Sequence, residues 1–121
     1  MWKAFVIQKH SHRDNPVHWD LMLECEDTLE TYRLEVRPDE LISWPCSAVK
    51  IADHPLKFLT YEGPVNKGLG NVEIAEKGKY QILQDEEDKK QIEFDGSVLK
   101  GVFTLQHIEL DKWQIQPRQT F

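Results

Sequence analysis

The pattern of apolar and polar positions along the chain is that of β-strands almost throughout. Strict alternation is clearest in residues 17–24, where the two kinds of side chain exchange at every step. One face of this predicted strand carries the apolar residues Val17, Trp19, Leu21 and Leu23, and the other carries His18, Asp20, Met22 and Glu24. A period of two residues is typical of a strand whose two faces meet different surroundings.

The same pattern predicts further strands that are separated by turn residues. These strands are Lys3–Lys9, Thr28–Val36, Ala48–Ala52, Gln91–Phe94, Ser97–Ile108 and Lys112–Gln116. Turns are predicted at Glu62-Gly63-Pro64, Lys67-Gly68, Lys77-Gly78 and Asp95-Gly96, the last as the two-residue turn of a hairpin. The acidic run 85–90 is predicted to be a hairpin loop, and the one helical candidate is the short segment Asp39–Ser43.

Many short strands with frequent turns and few helices predict the fold class. We expect a mainly β protein: a small single-domain β-barrel of antiparallel strands with one or two short helices, spanning residues 1–121. A length of 121 residues is that of one domain, and a hydrophobic content of 40% is enough to form a packed core. A disordered tail is therefore excluded.

The charge balance limits the ligands that the surface can attract. The formal net charge is −6, which argues against the broad basic face of a general nucleic-acid clamp. An anionic ligand would need a local site, formed by a metal ion or by a few converging cations. No apolar run approaches the roughly 20 residues of a membrane span, and the first residues do not resemble a signal peptide, so we expect a cytoplasmic protein. Cys25 and Cys46 form no CxxC pair and are expected to be reduced and buried.

The candidate chemistry is concentrated in a histidine cluster. His10, His12 and His18 lie within nine residues, and His18 shares the polar face of its strand with Asp20. An antiparallel return would bring His10 beside His18. Two imidazoles and one carboxylate would suit Mn, Zn or Fe, with coordination positions left open for a substrate. His12 has a suitable spacing as well and could replace or supplement His10, and a set of solvated side chains without a metal is the alternative.

Two further histidines are interpreted separately. His54 precedes Pro55, which favours an extended conformation and makes residue 54 a rigid position for an imidazole. The alternative for His54 is a loop histidine that packs on Pro55 or bonds to the backbone. His107 alternates with apolar residues near the C-terminus, and we expect it to be structural or exposed.

Six segments, taken in order, match the motifs of one family. They are Phe5–His10, His18–Glu24, Ala48–Leu56, Tyr61–Gly63, Lys67–Ile74 and Ile92–Leu105. The first two resemble F-V-[VI]-Q-K-H and H-[YW]-D-x-R-L-E, the signatures of the 3′-phosphoesterase domain of bacterial DNA ligase D and its free-standing relatives. The similarity covers nearly the whole chain.

The resemblance implies an activity and a set of site residues. In that family a small β-barrel holds a divalent metal, usually manganese, through two histidines and an aspartate, which implies His10, His18 and Asp20 as ligands, with Zn or Co as alternatives. A further histidine, matching His54, contacts the phosphate. The implied function is removal of a 3′-phosphate or a 3′-ribonucleotide from DNA ends in end repair, with His10, Asp20 and His54 as catalytic residues. The expected partners are DNA or RNA–DNA 3′ ends, held weakly and locally, and a ligase or repair protein in trans; the chain itself is expected to be a monomer.

The chain departs from the family pattern at the positions that handle phosphate. Met22 replaces the arginine of H-x-D-x-R, Cys46 falls on a second basic position, and Phe58 replaces a tyrosine. A thioether cannot donate a charge-assisted hydrogen bond, so one phosphate contact is lost. Arg13, in a loop two residues longer than the common form, is the preferred replacement; the other candidates are Arg33, Arg37, Lys50, Lys57 and Lys67.

These departures leave a second function open. It is a non-catalytic barrel that binds a metal, a nucleic-acid end or a protein partner and has lost hydrolysis.

Overall fold

The computed structural model describes residues 1–118 and folds them into nine β-strands. The strands are β1 (Lys3–His12), β2 (Asn15–Cys25), β3 (Thr28–Leu34), β4 (Cys46–Pro55), β5 (Gly63–Val65), β6 (Gly70–Asp85), β7 (Lys89–Gly96), β8 (Lys100–Glu109) and β9 (Lys112–Pro117). Three short 3-10 segments join them: η1 (Pro38–Glu40), η2 (Leu56–Leu59) and η3 (Asn66–Gly68). None of the helical segments in residues 1–118 has the length and apolar content needed to cross a membrane.

All strand pairs are antiparallel, and the sheet order is β1-β2-β3-β4-β9-β8-β7-β6-β5. An additional pairing between β1 and β6 joins eight of the strands into a ring, and β5 attaches to β6 outside it. The mainly β, antiparallel prediction is confirmed, while the barrel itself stays a prediction. The single-domain organisation stays a prediction as well.

The sheet buries side chains on both of its faces. The main core lies on the face that carries Leu21 and Leu23 of β2, together with Phe5 and Ile7 of β1. A smaller cluster lies on the opposite face and consists of Val6, Met22 and Leu29, with Phe58, Leu59 and Ile74 packed against it. Segment η2 therefore covers the middle of the face that the alternation assigned to polar residues, and Met22 is buried between the polar residues Asp20 and Glu24 of that face.

The hairpin between β7 and β8 differs from the prediction. Gly96 is the last residue of β7, and the turn lies two residues later, where the Gly96 amide donates to the Leu99 carbonyl oxygen at 2.9 Å. The buried carboxylate of Glu76 accepts hydrogen bonds from the amides of Ser97, Val98 and Leu99 at 2.6–3.0 Å. This distant carboxylate sets the position of the turn, which local Asp-Gly chemistry alone did not indicate.

Two predicted turns are parts of strands. Gly78 lies inside β6, where the strand passes between β1 and β7, and a Cβ there would come within 2.2 Å of the Asp95 carbonyl oxygen. The glycine is therefore required by a close backbone approach rather than by a turn. Gly63 begins strand β5. The turn at Lys67-Gly68 is confirmed, with positive φ angles at both residues.

Most of the remaining boundaries are close to the predictions. Strand β3 ends at Leu34 instead of Val36, the loop within 85–90 is confirmed as residues 86–88, and the helical candidate at 39–43 is a 3-10 segment followed by a turn. The 16-residue strand β6 was missed, because its predicted turn at 77–78 divided it. Cys46 is buried as expected, whereas Cys25 is half-buried; both are free thiols whose pKa burial raises.

Candidate metal centre and its two pockets

Antiparallel pairing of β1 with β2 builds the centre. The register places His10 directly opposite His18 and Gln8 opposite Asp20, so these side chains lie on the same face of the sheet. Two sequence segments that are eight residues apart thus converge because of a hairpin, as the sequence predicted. A Cβ at Gly70, on the neighbouring strand β6, would lie 3.1 Å from His10 Nε2, so the glycine leaves room for the ring.

Three side-chain atoms converge at one point, and we call His10, His18 and Asp20 the ligand cluster. His10 Nδ1 lies 3.0 Å from His18 Nε2 and 3.8 Å from Asp20 Oδ2, and His18 Nε2 lies 3.4 Å from Asp20 Oδ2. The side chains are largely buried, with 17%, 15% and 4% of their surface exposed. It is the one group of at least three candidate ligands found among residues 1–118.

The spacing within the ligand cluster fits a divalent cation. Metal–ligand bonds of about 2.0–2.2 Å place neighbouring ligand atoms about 2.8–3.1 Å apart in an octahedral site and about 3.3–3.6 Å apart in a tetrahedral site. The observed separations of 3.0–3.8 Å require only small movements to reach these ranges. Asp20 Oδ1 is buried without a hydrogen-bond partner among the described residues. Burial of a carboxylate lowers the free energy of unfolding unless a nearby cation balances its charge.

The electrostatics also suit a metal. Burial lowers the pKa of His10 below its ordinary value of 6.5, and the neighbouring His18 lowers it further, against an opposing effect of Asp20. The neutral imidazole, whose free ring nitrogen can bind a cation, is therefore favoured at position 10.

His12 lies outside the ligand cluster. Its Nδ1 accepts a hydrogen bond from the Asp14 amide at 3.1 Å and lies 3.2 Å from Asn15 Nδ2. These contacts hold the ring in the β1–β2 turn. Of the two alternatives, the structure brings His10 together with His18 and Asp20.

Two cavities meet at the ligand cluster. The larger, which we call the groove, has a volume of about 870 Å³, and its walls include His10, His12, His18, Arg33 and Asn66. The smaller, which we call the inner pocket, has a volume of about 210 Å³, and its walls include His10, Asp20, Met22, His54 and Phe58. His10 borders both cavities.

His54 reaches the inner pocket from the end of β4. Its Nδ1 lies 3.1 Å from the Ala52 carbonyl oxygen, and its ring packs edge-on against Phe58 with centroids 5.8 Å apart. If Nδ1 donates to that carbonyl, Nε2 is the nitrogen left for a ligand. The structure thus brings His54 to the same pocket as His10 and Asp20.

Gln8 is a positioning residue that the sequence reasoning missed. It is fully buried, and its Nε2 donates to the carbonyl oxygens of Phe58 at 2.9 Å and Tyr61 at 2.7 Å. These bonds tie the segment that follows His54 to strand β1. The available signal was an amide side chain that directly follows the apolar run of residues 4–7.

The structure separates the candidate cations. Arg33 lies opposite Asp20 on β3, with its Nε 3.8 Å from Asp20 Oδ1, and it lines the groove. Arg13, the preferred candidate, is exposed and is not among the residues lining the groove or the inner pocket; its backbone amide bonds to the Leu69 carbonyl oxygen at 3.0 Å. Arg37 pairs with Asp39 and Glu40 away from both cavities.

The three departures from the family pattern have different surroundings. Met22 lines the inner pocket with its side chain in the smaller core cluster. Phe58 lines the same pocket, with Lys57 Nζ 5.3 Å from its ring centroid. Cys46 belongs to the main core and borders neither cavity.

His107 is confirmed as a structural, partly exposed histidine. Its ring packs on Trp113 with centroids 4.9 Å apart, and its Nε2 lies 2.7 Å from the Leu110 carbonyl oxygen. It lines a third cavity on another part of the surface.

Comparison with known proteins gives relatives along most of the chain. A multifunctional non-homologous end joining DNA repair protein LigD of Mycobacterium tuberculosis is 29% identical over 117 residues, which cover 91% of this chain and 15% of that protein. The LigD protein of Pseudomonas aeruginosa is 29% identical over 105 residues, covering 80% of this chain and 12% of that protein. The chain thus spans less than a sixth of the length of these relatives. The model of the DNA ligase D 3′-phosphoesterase domain matches residues 8–107, and the chain therefore belongs to this family.

Proposed function

We propose that the chain is a metal-dependent phosphoesterase that removes a 3′-phosphate or a 3′-ribonucleotide from DNA ends in end repair. The observation that carries the proposal is the convergence of His10, His18 and Asp20 ligand atoms within 4.8 Å, beside a pocket that also holds His54. The relatives that match are multifunctional end-joining proteins. A site of two imidazoles and one carboxylate suits Mn²⁺, and Zn²⁺ or Co²⁺ would fit the same donors.

The ligand cluster would hold the ion, and a bound divalent cation supplies Lewis-acid polarisation of a phosphoryl oxygen. Antiparallel pairing orients His10 and His18 before any ligand arrives, so little reorganisation is needed. His54 would contact the phosphate from the inner pocket. In its protonated form both ring nitrogens donate, so Nδ1 can keep its bond to Ala52 while Nε2–H donates to a phosphate oxygen.

The charge of the chain fits a ligand that is bound at its end. A net charge of −6 argues against an extended basic surface, so phosphates distant from the terminus would contribute little affinity. The groove and the inner pocket, in contrast, meet at one point and can admit a chain terminus. Binding to a 3′ end should therefore be short-ranged and only weakly dependent on DNA length.

The direct test is hydrolysis of oligonucleotides that end in a 3′-phosphate or a single 3′-ribonucleotide, with and without Mn²⁺. We expect metal-dependent formation of a 3′-hydroxyl end. A His18→Ala variant is the control because it removes one ligand of the cluster. Turnover of the wild-type protein that does not exceed this control would reject the proposal.

A second candidate function is a non-catalytic member that binds a metal or a nucleic-acid end, or a protein partner, without hydrolysis. The burial of Met22 at the arginine position of the family pattern favours it, because no cation can donate to a phosphate from that residue. This candidate requires Mn²⁺ binding by calorimetry with no hydrolysis of any phosphoester tested. Metal-dependent turnover would exclude it.

The remaining proposals concern context. We propose that the chain is a cytoplasmic monomer that acts with a ligase or repair protein in trans. Analytical ultracentrifugation tests the first point, and stimulation of DNA end joining by the purified chain, in a reaction with a ligase, tests the second.

A further inference from the structure

Arg33 lies on the strand next to Met22 and on the same face of the sheet. The two residues lie on adjacent strands, and Asp20 pairs directly with Arg33 in the β2–β3 register. Met22, two residues further along β2, pairs with Thr31. Arg33 therefore lies on the neighbouring strand and on the same sheet face as Met22, displaced by two residues along the strand. Met22 is the position at which the family pattern has an arginine.

The surroundings of Arg33 leave its guanidinium available. Its side chain is 45% exposed, and its one ion pair within residues 1–118 is the long contact of 3.8 Å from Nε to Asp20 Oδ1. It lines the groove together with His10 and His18, two members of the ligand cluster. Arg37, another exposed arginine, is engaged by two carboxylates at 3.4 and 3.5 Å.

We infer that Arg33 is the phosphate-binding cation of this chain, acting from the groove in place of an arginine at residue 22. This inference rests on the proposed function, since it assigns a role in binding the same phosphoester. A guanidinium donates two parallel hydrogen bonds to phosphate, which an ammonium cannot reproduce. The two phosphate contacts would then come from different cavities: His54 would contact the phosphate from the inner pocket, and Arg33 would contact it from the groove. The ligand cluster borders both cavities.

A role for Arg33 through Asp20 is the competing explanation. The guanidinium could serve only to balance the buried carboxylate, in which case its loss would alter metal binding. A phosphate contact would instead leave metal binding unchanged and weaken binding of phosphate. The two roles are therefore separated by measuring both affinities on the same variants.

The experiment compares wild type with Arg33→Gln, Arg33→Lys and Arg37→Gln. Calorimetry measures the Kd of Mn²⁺ for the metal-free protein, and then the Kd of inorganic phosphate for the Mn²⁺-loaded protein. Arg37→Gln is the matched control because it removes the same charge from an exposed arginine four residues away that borders neither cavity. Steady-state kinetics on the 3′-phosphorylated oligonucleotide show whether each variant changes KM or kcat.

The expected result is a phosphate Kd about tenfold weaker in Arg33→Gln, partial recovery in Arg33→Lys, and no change in Arg37→Gln. The Kd of Mn²⁺ should stay within about twofold in all three variants. A phosphate Kd that is unchanged in Arg33→Gln, or wild-type protein that binds no phosphate, would overturn the inference. So would an equal loss in Arg37→Gln, because it would show a general charge effect.

The outcomes distinguish this inference from the proposed function. If the wild type hydrolyses the substrate and Arg33→Gln has an unaltered phosphate affinity, the role of Arg33 is rejected and the proposed function stands. Phosphate binding that depends on Arg33, without any hydrolysis, would support that role and reject the phosphoesterase.

Discussion

The ligand cluster and the rest of the inner pocket beside it differ in how their polar groups are held. The ligand cluster forms what we call the metal side of the site. Its residues His10, His18 and Asp20 are fixed by direct pairing of β1 with β2, and their candidate ligand atoms lie 3.0–3.8 Å apart. In the inner pocket, His54 is the one imidazole besides His10, and much of the remaining wall is apolar, including Met22 and Phe58. The difference indicates that the proposed metal binding and the proposed phosphate binding would depend largely on separate structural elements, which could diverge independently.

Removing a metal ligand should give the largest effect. Asp20→Asn replaces a buried carboxylate by a neutral amide and should abolish Mn²⁺ binding measurable by calorimetry, with at least about a 10³-fold loss of hydrolysis. Asp14→Asn, which changes an exposed carboxylate in the β1–β2 turn, is the control and should behave as the wild type. Retention of tight Mn²⁺ binding by Asp20→Asn would show that the cation, if any, binds elsewhere.

A change at His54, which belongs to the proposed phosphate-binding side of the site, should lower activity without changing metal binding. His54→Gln should lower kcat/KM by about 10²-fold because one donor to the phosphate is lost, while the Kd of Mn²⁺ stays unchanged. The matched control is His107→Gln, a histidine on β8 outside both cavities. A parallel loss of Mn²⁺ affinity in His54→Gln would contradict the separation of the two sides.

The apolar wall should contribute to stability. Met22→Ala removes a side chain that is 1% exposed and packs with Val6 and Leu29, so the free energy of unfolding should fall by about 2–4 kcal/mol. Met22→Leu, which preserves volume, should cost less than about 1.5 kcal/mol. Urea unfolding measures both. Equal stability of Met22→Ala and wild type would show that Met22 contributes no packing energy to the smaller core cluster.

The smallest expected effect is a pH dependence of the metal-free protein. Because the pKa of His10 is lowered in the folded state, the unfolded chain takes up a proton at residue 10 at a higher pH than the folded protein does. Stability should therefore be greatest above pH 6.5 and should fall as the pH decreases towards the lowered pKa. Urea unfolding between about pH 7.5 and about pH 5.5 measures this, and the slope should be smaller in His10→Gln. An unchanged slope in that variant would assign the effect to other groups.

Much of the metal side could be predicted from the sequence because its determinants are local. Alternation along 17–24 and one antiparallel return are sufficient to place His10 beside His18 and Asp20, and the structure brings these residues together. The same reasoning failed at Gly78, where the need for glycine comes from the Asp95 carbonyl of another strand. It also placed the β7–β8 turn two residues too early, since the amides of that turn bind the distant carboxylate of Glu76.

The phosphate side depended on the exact register of paired strands and on packing over the sheet, which the alternation within one strand does not show. Arg13 was preferred over Arg33 for its place in the chain, but only the β2–β3 register shows that Arg33 lies opposite Asp20. Likewise, the alternation assigned Met22 to a polar face, and the packing of η2 over that face turned it into a buried residue. The alternation within one strand does not show which other segment of the chain packs over its face.

The sequence by itself therefore determined the mainly β class, the positions of most strands, and a ligand cluster of His18, Asp20 and a neighbouring histidine, for which His10 and His12 both stayed open. These depend on the two-residue period of a strand and on pairing between neighbours along the chain. The tertiary structure decided which cation faces the cluster, which side of β2 is covered and where the glycines are required. Those features arise from the exact register between paired strands and from segments that fold back over the sheet, and the alternation within a single strand shows neither of them.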